Sequence, residues 1–382
     1  MANGLFGFSH GCLTMDRWDE LNLLLKKTGA IVTFGLNALY GRHKGSNGVW
    51  EGSWNSSNAR NFIEYTISKG HQIDSWEFGN ELSGSGIGAS VTALQYGKDL
   101  IILKSILGEL YKSSNSQPLL LAPGGFFDKE WFAKLLQVSG PNVVDAVTHH
   151  IYNLGAGDDP HLISKILDPQ YLDQIDGTFS DLQLTIQRQG PWATAWVGES
   201  GGAYNSGGRL VSDTFVNSFC ALLWHRLMGK TVLSVDFSGS QFFRTYAHCS
   251  KGKDGITLLL INLSNTTEFL VKVRNNMNID THIKVKMRRD DSFDYFLKKT
   301  VAWVGRKTME QAAQREEYHL TPKDGYLQSQ TMVLNGRPLK LSADGSIPTL
   351  DPVLADVQLP ISIAPLSIAF VAFPKFEAPV CR

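Results

Sequence analysis

From residue 15 to about residue 200 the hydrophobic period switches repeatedly between 3.6 residues and short continuous apolar runs. That alternation constrains the chain most, because it is the βα pattern of a parallel sheet with helices outside it. Asp16 to Lys27 carries Trp18, Leu21, Leu24 and Leu25 on one face and stops at Gly29, so it reads as a helix leading to the buried strand Ile31 to Leu36. Asn58 is placed to cap the next helix, with Phe62, Ile63 and Ile67 inward and a stop at Gly70, before a strand from Ile73 to Phe78. A helix from about Ser90 to Lys112 leads to Pro118–Ala122, one from Lys129 to Val138 to Val143–His149, and one from about Phe179 to Gln189 to Thr194–Val197. Five parallel strands follow from this reading.

Past Lys230 the pattern becomes aliphatic strands without long helices: Ile256 to Asn262, Phe269 to Val273, Thr331 to Leu334 and Ile361 to Phe373. They predict a mainly antiparallel β domain, a sandwich, over residues 229–382, after an α/β domain over residues 1–228. Lys284 to Arg315 holds many of the basic residues and reads as a solvated insertion, with a basic groove as the functional alternative. The 36 Lys and Arg balance the 36 Asp and Glu, so no global field draws the chain to nucleic acid. The longest apolar run, Ile361 to Phe373, is broken by Pro365 and falls short of the roughly 18 to 20 residues of a membrane span.

In a parallel α/β sheet, reacting groups gather where strands finish. Two of the five strand ends finish on glutamate: Phe78-Gly79-Asn80-Glu81-Leu82 and Val197-Gly198-Glu199-Ser200-Gly201-Gly202. Two carboxylates facing each other across a barrel mouth are what glycoside hydrolysis requires, one to protonate the leaving oxygen and one to attack or activate water. Asn80 stands beside Glu81 to bond a sugar hydroxyl, and Thr148-His149-His150-Ile151-Tyr152-Asn153 brings a further polar strand end.

Three short motifs of other enzyme classes also match. Gly84-Ser85-Gly86-Ile87-Gly88-Ala89 fits G-x-G-x-x-A, but the strand ends before the glycines and no acid for a ribose follows the next one. Gly198-Glu199-Ser200-Gly201-Gly202 fits G-x-S-x-G, yet a nucleophile elbow runs directly into a helix and Tyr204 to Gly208 cannot start one at once. His149 and His150 are adjacent on a strand and point to opposite faces, so at most one enters a cleft, and no metal site is expected. No cofactor is implied.

The four cysteines, Cys12, Cys220, Cys249 and Cys381, form no C-x-x-C pair. Cys249 and Cys381 could close a long loop, and four buried thiols are an equal alternative. Sequons at Asn55, Asn262 and Asn265 are candidate glycosylation sites. The N-terminal residues have neither a basic start nor a long apolar stretch, so no signal peptide is read in this chain.

At its strand ends the sequence resembles glycoside hydrolase family 79, the heparanase-like proteins and β-glucuronidases, and in particular its plant members. The resemblance is carried by Trp76-Glu77-Phe78-Gly79-Asn80-Glu81-Leu82, Thr148 to Asn153, Trp196 to Gly208, and Tyr246-Ala247-His248-Cys249. It implies a (β/α)8 TIM-type barrel with a C-terminal β-sandwich, Glu81 as acid/base and Glu199 as nucleophile of a retaining mechanism. It further implies substrate contacts from Asn80, His150 and Tyr152, and backbone N–H groups of Gly207 and Gly208 for the sugar carboxylate. The partner it implies is a glucuronate-containing glycan or glucuronide. Cys249 and Cys381 match the family's sandwich disulfide. Family members are secreted or lysosomal-vacuolar and N-glycosylated, and the resemblance adds peripheral membrane association as an expectation.

Against the family pattern the chain is expected to lack the first two barrel strands, and the segment between Phe219 and Cys220 that carries the eighth strand. A contiguous five-strand arc is then predicted, with two open edges, and the alternatives to a glucuronide-cleaving enzyme are a truncated, non-catalytic product of the same family with at most glycan binding, or another retaining glycosidase.

Overall fold

The computed structural model describes residues 8–9, 11–114, 117–217, 221–274 and 314–381. The chain divides into two compact units, one running up to Asn153 and resuming over Gln174–Gly201, the other made of Leu154–Asp173 and the chain from Gly202 onward. The division expected at residues 228/229 therefore falls elsewhere. Residues 154–173 and 202–217 join the second unit, where Phe215 N–H bonds to Ser329 O and Val216 N–H to Leu327 O.

The first unit is one five-stranded sheet in the order Thr33–Leu36, Ser75–Phe78, Leu119–Phe126, Ala146–Ala156, Thr194–Tyr204. The first four strands pair in parallel. Helix Met15–Thr28 precedes the first strand, and helices Ser57–Ser68, Ala93–Leu110, Lys129–Ser139 and Ile175–Gln189 run between successive strands. Their ends follow local chemistry: Thr14, Thr92 and Asp128 each accept a first-turn N–H, and Gly29 closes the first helix in the left-handed conformation. Asn58 is not a cap; it lies inside the helix, whose cap position is Ser56. The core is Trp18, Trp76, Phe78, Tyr96, Leu100, Leu103, Phe132 and Leu135, all fully buried, with Trp18 Nε1 donating to Thr66 Oγ1 at 3.0 Å.

Both outer strands of this sheet are more open than their apolar sequences predict. Ile31 lies outside the first strand and is 77% exposed, and Leu24 faces solvent rather than the core. On the other edge every residue from Thr194 to Gly201 is exposed. Each of these strands is last in the sheet order and, among the described residues, has a sheet neighbour on one side only.

The second unit is built on an eight-stranded sheet whose long members pair antiparallel: Phe243–Ser250, Ile256–Asn262, Ser367–Phe373 and Gln314–Pro322. A two-stranded sheet, Phe269–Val271 with Ile361–Ile363, adds Phe269, Val271, Ile361 and Ile363 to the core formed by Phe243, Leu258, Leu260 and Val371. Leu259, Ile261, Leu320 and Phe370 point the other way, into a core with Phe215, Leu223 and Leu227. The single run expected from Ile361 to Phe373 is two strands in two sheets, because Ala364-Pro365-Leu366 turns the chain and Leu366 takes φ 49°.

Of the expected solvated insertion, residues 284–313 lie outside the described residues. Arg315 is a correction: it is buried within Gln314–Pro322, with Nε on Glu317 Oε1 at 2.6 Å and Nη1 on the carbonyls of Asp356 and Leu359.

Candidate active site

Glu77, Gly79 and Glu81 stand at period two across the end of strand Ser75–Phe78. The chain leaves the strand through two left-handed residues, Gly79 at φ 77° and Glu81 at φ 50°. A side chain at residue 79 would also collide, since its Cβ would fall 2.9 Å from Tyr96 Oη. Glu81 tolerates its conformation because its N–H donates to Gly124 O at 2.6 Å, which pins the turn.

His150 is the hub of the site. It is buried, with Nδ1 2.9 Å from Glu81 Oε1 and 3.7 Å from Glu199 Oε2. Tyr152, two residues on along the same strand, donates its hydroxyl to Glu199 Oε2 at 3.0 Å. The Phe126 ring lies edge-on to His150 at 6.4 Å and tilted to Tyr152 at 6.2 Å. Glycines on the facing strand make room for these rings. A Cβ at Gly198 would touch the His150 ring at 3.4 Å, and one at Gly201 would strike Tyr152 Cε1 at 2.9 Å.

One oxygen each of Glu81 and Glu199 and the His150 nitrogen lie within 4.8 Å of one another. Three such donors could hold a metal ion. Here each carboxylate has its own hydrogen-bond partner, Glu81 on His150 and Glu199 on Tyr152. His149 takes the opposite face, with Nδ1 on Trp196 O at 3.1 Å and its ring edge-on to Phe179, as alternation along a strand requires. Burial pushes the His149 imidazole pKa down. Ser200 sits within strand Thr194–Tyr204 rather than at a strand-to-helix turn.

Beneath the pair lies a carboxylate that reading strand ends passed over. Glu77 is half-buried, its buried Oε1 has no hydrogen-bond partner, and burial pushes its carboxyl pKa up against the opposing effects of Thr148 and His150. The period-two spacing to Glu81 is the signal that could have found it. The Tyr152 hydroxyl pKa is also raised, by burial first and then by Glu199 and Glu81.

The other expected site residues are dispersed. Asn80 is exposed beside Glu81. Gly207 and Gly208 belong to the second unit, where Gly208 N–H is already bound to Ser212 Oγ at 2.9 Å. Cys249 and Cys381 form a disulfide, Cys12 is a free, exposed thiol, and Cys220 lies outside the described residues.

Asn55 and Asn265 are exposed, but Asn262 is 1% exposed and its Nδ2 donates to the carbonyls of Thr267, Ile363 and Ala364. The nitrogen that would carry a glycan is inside the fold, which removes Asn262 as an acceptor. No helix among the described residues is long and apolar enough to cross a membrane.

With this geometry in view, likeness to known proteins is informative. Residues 1–224 match the Glycosyl hydrolase family 79, N-terminal domain. The whole chain is 52% identical to Heparanase-like protein 1 of Arabidopsis thaliana, covering 78% of that protein. It is 33% identical to Baicalin-beta-D-glucuronidase of Scutellaria baicalensis, over 98% of this chain and 75% of that one. Among solved structures, a Clostridium acetobutylium glycoside hydrolase family 44 endoglucanase superposes with TM-score 0.55 at 11% identity, over 94% of this chain and 84% of that one. That likeness speaks to fold alone.

Proposed function

Since the chain belongs to glycosyl hydrolase family 79 and is a glycosidase, we propose that it cleaves β-glucuronide bonds with retention of anomeric configuration, Glu81 acting as acid/base and Glu199 as nucleophile. The observation that carries this reading is the convergence of the two strand-end carboxylates around His150, with oxygens within 4.8 Å. A separation of about 5 Å suits direct attack by one carboxylate, whereas an inverting pair stands roughly 6.5 to 9.5 Å apart to admit a water. Glucuronide as the substrate class is supported by the likeness to the baicalin glucuronidase.

In the first half-reaction Glu81 donates a proton to the glycosidic oxygen while Glu199 attacks the anomeric carbon. In the second, Glu81 accepts a proton from water as the glycosyl–Glu199 ester is hydrolysed. The Tyr152 hydroxyl fixes the orientation of Glu199 through Oε2. His150 Nδ1, 2.9 Å from Glu81 Oε1, holds the Glu81 carboxyl group in place. Asn80, exposed beside Glu81, is assigned to a sugar hydroxyl.

We take the five-stranded sheet as the larger part of a (β/α)8 barrel and the second unit as the family's sandwich. An extracellular or vacuolar-lysosomal setting accords with the Cys249–Cys381 disulfide and the exposed sequons at Asn55 and Asn265.

The test is hydrolysis of p-nitrophenyl β-D-glucuronide by the chain and by Glu199→Gln. Turnover should fall by at least about 1000-fold in the variant, with the thermal unfolding midpoint kept. Persisting turnover removes Glu199 from the nucleophile role.

A further inference from the structure

We propose that Glu77 is a positioning residue for Glu81, acting through a relay in which its carboxyl group packs against Gly124 and Gly124 holds the Glu81 backbone. Thr148 Oγ1 accepts the Gly124 N–H at 2.9 Å, which fixes Gly124 from the side on which the Glu77 carboxyl group lies. Gly124 O in turn accepts the Glu81 N–H at 2.6 Å.

The Glu77 carboxyl group is also packed against the Gly124 α-carbon. A Cβ there would lie 2.9 Å from Glu77 Cδ, and Gly124 takes φ 56°, so only glycine fits. One glycine thus joins the two glutamates: its α-carbon and N–H are held from the Glu77 side, and its carbonyl holds Glu81 in a left-handed conformation that a β-carbon resists. Glu81 must keep its carboxyl group on His150 Nδ1, and its backbone φ sets where that side chain starts.

A purely structural residue at this position would have no reason to be ionisable. Glu77 keeps Oε1 buried without a partner, a cost that an apolar side chain of similar size would not incur. The groups that face it are His150 and Glu199, through their charges, Thr148, and the buried Tyr96, whose hydroxyl is itself affected by Glu77. Glu77 therefore sits one layer under the reacting pair and shares its field.

This inference rests on the assignment of Glu81 as acid/base, so the experiment has one arm that needs no activity. In the full chain, Glu77→Ala, Glu77→Gln, Thr148→Val and Thr148→Ser are compared by amide hydrogen exchange over the segments holding Glu81 and Gly124, with strand Ile256–Asn262 as internal reference. Exchange at Glu81 and Gly124 should rise about fivefold in Thr148→Val, the loss of one hydrogen bond, rise likewise in Glu77→Ala, which loses the packing against Gly124, and stay unchanged in Thr148→Ser. Unchanged exchange in Glu77→Ala overturns the relay whatever the activity.

The second arm measures p-nitrophenyl β-D-glucuronide kinetics. For Glu77→Gln, which keeps the packing against Gly124 but not the charge, kcat should fall about tenfold with KM held and the pH profile of kcat displaced. If the wild-type chain turns over and Glu77→Gln leaves kcat and its pH profile unchanged, Glu77 is a packing residue and the positioning role is overturned. A wild-type chain without turnover sinks the proposed hydrolysis, and the exchange arm still decides the relay.

Discussion

A carboxyl group that is half-buried, with one buried oxygen unpartnered, leaves a trace in the pH dependence of stability. The Glu77 carboxyl pKa is raised in the fold, by burial first, so the fold prefers the protonated form. The sign follows: below the unfolded-state pKa Glu77 carries no ionisation cost, and stability is lost as pH rises through the folded-state value. Glu77→Gln cannot ionise. Its unfolding midpoint relative to wild type should become more favourable between pH 4 and pH 8, measured by thermal scans at fixed ionic strength. A difference that is flat or of opposite slope would mean that Glu77 ionises in the fold without cost.

Glu81, Glu199, His150 and Tyr152 were legible in the sequence because strand ends in a parallel sheet converge, and the structure brings these four together. Glu77 was not, because it lies inside strand Ser75–Phe78, a layer below the residues at which the strand ends. Asn262 shows the opposite failure. A three-residue acceptor pattern carries no information on burial, and here the amide holds a turn together.

Among the elements, strand Thr194–Tyr204 depends on what it lacks. Gly198 and Gly201 have no side chain where the His150 and Tyr152 rings lie. Gly201→Ala should push Tyr152 off Glu199, because a Cβ 2.9 Å from Cε1 is inside contact distance. The expected result is a kcat lowered about tenfold with little change in the unfolding midpoint of so exposed a strand. Unaltered kcat would take the Tyr152–Glu199 hydrogen bond out of the mechanism.

Helices with clear caps and a 3.6-residue apolar stripe were readable to within a few residues. The strands Phe243–Ser250 and Gln314–Pro322 were not anticipated. Gln314–Pro322 buries Arg315 and Glu317 as a hydrogen-bonded pair, with His319 Nε2 on Glu317 Oε2 at 2.6 Å, so a charged row lies where alternation predicts apolar residues.

On the scale of the whole molecule, the switch from βα alternation to aliphatic strands does announce a parallel sheet followed by antiparallel ones. The exchange of residues 154–173 and 202–217 into the second unit is invisible to periodicity, because it depends on bonds between distant loops such as Phe215 with Ser329. Within that unit the Cys249–Cys381 bridge closes a span of 132 residues, a constraint on the unfolded chain worth roughly 5 kcal/mol in the chain-entropy model. Two carboxylates on one face of a hydrogen-bonded sheet, steadied by an imidazole and a phenol, make a chemical claim that can be read directly.

Incubation of the chain with 2-deoxy-2-fluoro-β-D-glucuronosyl fluoride, followed by peptide mass spectrometry, should show one glycosyl adduct on the peptide carrying Glu199. An adduct on Glu81 or elsewhere, or turnover of a glucuronide to the inverted anomer with no adduct, would contradict the assignment of Glu199 as the nucleophile of a retaining glycosidase.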